Sequence, residues 1–233
     1  MKKTILSLAM VAMGVAAFAQ KPAAGDKTIE TSLLFQTGTA PISLFTPNLR
    51  ARYFIADGLA ARVEFVFESD KTTTNFTENA DGTGGKGSAV AKSSSFTFAP
   101  GIEKHFAGTE KFSPYVGATI PLVFAGASEE WENSANGTTY TQGVNATIDG
   151  ATSGGIRAGS SIGVNLVLGA DYYFTDAIYL GAEIQWGWAT STDKESTTTV
   201  KVPNTPDAKT VTPEAKASGF GIATSGIRLG WKF

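Results

Sequence analysis

Apolar and polar residues alternate at every second position over long stretches of the chain, the periodicity of strands whose two faces meet different surroundings. Over 162–174, Ile162, Val164, Leu166, Leu168, Ala170, Tyr172 and Phe174 share one face, and Gly163, Asn165, Gly169 and Asp171 share the other with Val167 and Tyr173. Thr175-Asp176 then makes a tight turn. Beyond it Ile178, Leu180, Ala182, Ile184, Trp186 and Trp188 alternate with Gly181, Glu183, Gln185 and Gly187. Two such runs joined by about two residues predict a β-hairpin.

The same rhythm recurs. Leu59, Ala61, Val63, Phe65 and Phe67 alternate with Arg62, Glu64 and Glu68. Phe96, Phe98 and Ile102 alternate with Ser95, Thr97, Gly101 and Glu103, and Phe112 to Phe124 alternate with Ser113, Gly117 and Thr119. Weaker strands are expected at 29–36 and 42–55, and a last one at 216–233. Phe220 and Ile222 stand on the opposite parity from Ile227, which predicts a bulge at 224–226.

These runs amount to about eight strands. An even number lets an antiparallel sheet close on itself, and closure removes the unpaired edges that lipid would penalise. Short turns at 56–58, 107–111 and 175–176 alternate with long loops at 71–92, 129–158 and 191–215 and a tighter one at 37–41. Short connections on one side and long ones on the other are the asymmetry of barrels with periplasmic turns and extracellular loops. The expected fold is therefore all-β: a closed antiparallel up-and-down transmembrane β-barrel of about eight strands.

Composition narrows the picture. Only 17% of the 233 residues are charged and 26 are glycine, unlike a typical soluble enzyme surface. Residues 1–19 have the three regions of a secretory signal peptide: Lys2 and Lys3, the apolar run from Ile5 to Val15, and Ala17-Phe18-Ala19 before a cleavage point at Gln20. The barrel domain is then 20–233. The formal charge is −2, falling to −4 without Lys2 and Lys3, so no nucleic-acid partner is expected. Cysteine is absent and histidine occurs once, leaving little for a metal site or a cofactor, and none is expected.

The chain ends on Phe233, preceded by Ile227, Leu229 and Trp231 in alternation with Gly226, Arg228, Gly230 and Lys232. This resembles the terminal strand by which outer-membrane barrels are recognised. With the hairpin rhythm, the whole mature chain resembles the small eight-stranded outer-membrane barrels of OmpA/OmpX type, without the peptidoglycan-binding domain some of them carry. The resemblance implies a place in the outer membrane, contact with its lipid, and recognition by the barrel-insertion machinery through Ile227, Leu229, Trp231 and Phe233.

Up-and-down strand order assigns the two faces. Tyr53, Phe106, Phe112, Tyr172, Phe174, Trp231 and Phe233 fall near the periplasmic strand ends; Phe35, Phe45, Trp186 and Trp188 fall near the outer ones. They are expected to form two aromatic girdles at headgroup level. Glu30, Arg50, Arg52, Arg62, Glu64, Glu103, Asp171, Glu183 and Arg228 point inward. Eight strands leave room only for side chains to fill the interior, so these charges are expected to pair as a closed plug. Above them Ser32, Thr46, Asn48, Thr97, Thr119, Asn165 and Gln185 would line a shallow vestibule.

Catalytic motifs are absent. The glycine-rich stretch 82–88 lacks P-loop spacing and reads as a flexible loop tip. His105 falls at the periplasmic end of its strand and reads as an interfacial residue beside a turn, far from an outer rim where a Ser–His–acid site would work. Glu64 and Glu68 have arginine partners within reach and read as structural. The expectation is a non-enzymatic, monomeric barrel with a structural and surface-interaction role, its loops, with Trp131 and Tyr140, displayed to extracellular ligands. The alternative is a narrow channel or a transporter for small hydrophobic molecules, which would need an incomplete plug or a wall that opens sideways.

Overall fold

A computed structural model describes residues 22–33 and 48–233. The signal peptide, Phe35, Phe45, Thr46 and the connection at 37–41 lie outside these residues. Twelve strands are present: β1 (Lys27–Leu33), β2 (Asn48–Ala56), β3 (Leu59–Thr77), β4 (Lys86–His105), β5 (Phe112–Thr119), β6 (Leu122–Glu132), β7 (Asn145–Asp149), β8 (Gly159–Tyr173), β9 (Ile178–Asp193), β10 (Ser196–Lys201), β11 (Ala208–Thr212) and β12 (Ala215–Lys232). All belong to one antiparallel sheet, and no helix occurs among the described residues.

The pairings run in a circuit. β1 pairs with β2, then β3, β4, β5, β8, β9 and β12 follow in turn, and β12 pairs with β1. Backbone hydrogen bonds between Lys27 and Phe233 in both directions, 3.0 and 2.9 Å, carry this last pairing to the chain end. The three tight connections, the first described residues before β1 and the end of β12 sit together at one end, where the Ala24 amide donates to Asp57. Gly58, with φ of +68°, lets the first of these turns close.

Each strand in the circuit has an apolar outer face and a buried inner one, because lipid-compatible and polar residues alternate with the pleat. Ile162, Val164, Leu166 and Leu168 are exposed, whereas Asn165, Val167, Asp171 and Tyr173, on the opposite parity, are buried. The register of β12 against β9 slips between Ile222 and Thr224, so the bulge lies at Ala223, slightly before the expected 224–226. It reverses the parity, and Phe220, Ile222, Ile227 and Leu229 all end on the outer face.

The expected long loops are largely strands. β3 and β4 continue as a hairpin with every residue from 59 to 77 paired, which leaves only 78–85 as the connection in place of 71–92. The glycine-rich stretch follows suit: Lys86, Gly87 and Ser88 are paired in β4. The 129–158 stretch contains the end of β6 and all of β7, which sits between β6 and β10 above the start of β8. The 191–215 stretch contains β10 and β11. β5 and β6 form one line of chain interrupted at Ile120-Pro121, since both pair with β4 and with β8. Twelve strands thus build eight lines. A crossing needs only about 9–11 residues per strand, and β3 has 19.

This raised wall has its own small core. Ala89, Trp131, Ala146, Ile148 and Ala151 are buried together, with Phe76 and Val200 against them. Trp131 is 9% exposed, so it packs inward and does not present itself to the outside as expected. The connections above are tied down: Asn133 Nδ2 donates to the Lys86 carbonyl at 2.9 Å, and the Tyr140 ring lies over Gly85, where a Cβ would stand 2.0 Å from it.

Candidate functional site

The enclosed face nearest the short turns is a network of charges. The nine residues singled out from strand parity lie here together, and none is more than 8% exposed. Arg50 on β2 donates to Glu64 at 2.6 Å and to Glu183 at 3.1 Å, joining β3 to β9 across the interior. Arg52 reaches Glu30 at 2.6 Å, Asp171 at 2.8 Å and Glu103 at 3.0 Å, three strands held by one guanidinium. Arg62 pairs with Glu103 at 2.7 Å and with Glu183 at 3.0 Å. Arg228 on β12 contacts Glu30, Asp171 and Glu183.

Taking so many charges out of water costs several kcal/mol per ion, and pairing offsets that only when each donor and acceptor is used. Here each carboxylate meets at least two cations or polar donors, while the Nε donors of Arg62 and Arg228 are left without a hydrogen bond. Charge-assisted bonds of this kind are stronger than neutral ones, and the planar guanidinium fork suits them.

Neutral groups complete the network. Tyr115 donates to Glu183 at 2.6 Å and Tyr179 to Glu30 at 2.8 Å, and Arg52 stacks over both rings. Sequence reading did not single out either tyrosine, although both stand on the inner parity. Each overlies a glycine directly across the ladder, Tyr115 over Gly169 and Tyr179 over Gly230, where an added Cβ would come within 2.3 Å of the ring. Glycine opposite tyrosine is therefore a packing requirement in this interior.

His105 also belongs here, which corrects its reading as an interfacial residue. One residue past the outward Lys104, it points inward at 7% exposure, between the rings of Phe54 and Tyr115. Its Nδ1 lies 2.9 Å from Ser113 Oγ and its Nε2 lies 3.2 Å from Glu103. The order Ser113–His105–Glu103 mimics an acyl-transfer triad. Yet Ser113 is 1% exposed and Glu103 is held by Arg52 and Arg62, so a substrate carbonyl has no approach to Oγ.

Toward the far end the charges give way to a polar layer. Gln185 donates to Glu183 at 2.7 Å and accepts from Asn165 at 3.1 Å, and Asn48 donates to Glu64 at 2.7 Å. Thr119 is buried against Gln185. The aromatic residues lie elsewhere: Tyr53, Phe106, Phe112, Trp188, Trp231 and Phe233 are 41–63% exposed on the outer face, and Tyr172, Phe174 and Trp186 are half-buried there.

Among the described residues no group of histidine, cysteine or acidic side chains has the arrangement of a metal site, and no helix is long and apolar enough to cross a membrane. A continuous antiparallel sheet, apolar outside and ionic within, defines an all-β protein whose two faces meet different surroundings. A profile of the OmpA-OmpF-like porin family, outer-membrane β-barrels, matches residues 46–197, and the chain belongs to that family. The match runs from β2 into β10. No curated protein sequence matches. Among solved structures, the outer membrane protein OprG from Pseudomonas aeruginosa is 12% identical over 94% of this chain and 99% of its own, with a TM-score of 0.37, too loose a likeness to place any residue.

Proposed function

We propose that this chain is an integral outer-membrane protein, a closed barrel of eight lines of strand, with a structural and surface-interaction role. The circuit of pairings and the apolar outer face support a barrel whose wall contacts lipid. The observation that supports the functional reading is the burial of nine paired charges across its interior, the arrangement of a plugged barrel. Such a barrel works through its wall and its extracellular rim.

In this reading the signal peptide directs export, the terminal strand with Trp231 and Phe233 meets the insertion machinery, and the exposed aromatics anchor the barrel at headgroup level. The protein is a monomer and not an enzyme. The test is planar-bilayer conductance of the refolded mature chain, with heat-modifiable gel migration as the control for folding. Heat-modifiable protein without stable channel steps is the expected result. Reproducible steps would give the narrow-channel alternative first place.

A further inference from the structure

The outward residues of β3, β4 and β6 fall into rows fixed by their register. Phe67, Phe96 and Phe124 make the last apolar row, 40–56% exposed. The next row toward the rim is Ser69, Ser94 and Gly126, and the one above it is Lys71, Lys92 and Ser128, with Asp149 of β7 beside Ser128. The middle row has almost no side-chain bulk, and a cavity of about 510 Å³ opens there, lined by the two lysines and the serines and also by Asp70 and Asp149.

Lys71 and Lys92 are directly opposite one another. Like charges directly opposite one another repel, and an anion seated between them would relieve that repulsion. Glu130 stands 3.8 Å from Lys92, and no ion pair of Lys71 occurs among the described residues. Three adjacent strands span about 10 Å, room for a phosphate with a sugar or glycerol unit beside it. Two rows of height on strands tilted by about 40° lift the lysines roughly 10 Å above the phenylalanines, and their flexible stems can reach down to the headgroup layer.

We propose that this trough binds the phosphate-bearing headgroup of an outer-leaflet lipid. The phosphate sits between the Lys71 and Lys92 ammonium groups, the serine hydroxyls donate to its oxygens, and Asp149 accepts from headgroup hydroxyls at the far side. The lipid chains lie down over Phe67, Phe96 and Phe124. The site rests on the transmembrane reading above, since it is the phenylalanine row that ties the trough to lipid.

The test is native mass spectrometry of the detergent-solubilised, refolded mature protein titrated with phosphatidic acid, diacylglycerol or inorganic phosphate. Phosphatidic acid should be retained over diacylglycerol, and about 5-fold less by K71Q or K92Q and about 25-fold less by the double variant. Equal retention by the double variant would overturn the site. Inorganic phosphate that competes as well as the lipid would overturn the lipid assignment. Quenching of Trp188 and Trp231 by brominated lipid in vesicles separates the two levels. Quenched protein without selective retention loses only this site, and unquenched protein loses the membrane reading with it.

Discussion

Arg228 touches Glu30, Asp171 and Glu183, residues of three other strands, and donates to Tyr115 on a fourth. Removing it leaves carboxylates buried and less than fully paired. Breaking a buried pair from one side costs about 3–5 kcal/mol, more than any exposed ion pair on this chain could contribute. Arg228→Ala should therefore lower the stability of the refolded barrel by that amount in urea unfolding, whereas Lys216→Ala, whose pair with Glu214 is exposed, should change it by under about 1 kcal/mol. A second residue-scale case lies in the raised wall. Burial pushes the Glu129 carboxyl up, but hydrogen bonds from the Trp131 indole and from the Ser153 amide and hydroxyl outweigh it and hold the group below its usual range. A depressed folded-state value stabilises above the unfolded value near pH 4.3 and is lost as pH falls through the folded one. Limited proteolysis of the 133–158 segment should accelerate below about pH 4 in the wild type, and at every pH in Glu129→Gln. Cleavage of both proteins at one pH-independent rate would remove that role for Glu129.

At the scale of the element, the bulge at Ala223 decides which way half of β12 faces. Deleting Ala223 should turn Phe220 and Ile222 inward and their glycine neighbours outward. The measurable outcome is a severalfold smaller heat-modifiable fraction after refolding; an unchanged fraction would mean the strand tolerates either parity. Gly230→Val tests packing in the same strand, since Tyr179 occupies the space a side chain would need; urea unfolding at a clearly lower concentration is expected. This strand also marks how far the sequence could be read. Lipid on one side and paired charges on the other impose a strict two-residue period, so the crossing segments, the nine inward charges and the need for a bulge were all visible in it. His105 and Tyr115 escaped because a single histidine beside a turn, or a tyrosine with neither charge nor aliphatic character, declares no face. The upper halves of β3, β4 and β9 were invisible for a different reason. Over these stretches both faces are polar, so Lys71-Thr72-Thr73-Thr74-Asn75 and Lys92-Ser93-Ser94-Ser95 carry no alternation, though they are fully laddered.

At the scale of the whole molecule, the strands that cross the membrane continue past it as one wall. From Phe67 to Thr77, β3 rises by ten residues, roughly 25 Å of height at a typical tilt. The segment at 78–85 is therefore held out as on a pier, at a set distance from the lipid and in a set relation to the connection packed over it. An immune system meeting this surface sees shapes assembled from neighbouring strands, and seldom a free run of chain. Antisera raised against a linear peptide of residues 71–92 should stain the heat-denatured band on a gel and leave intact cells unstained. Antisera raised against the folded barrel should do the reverse.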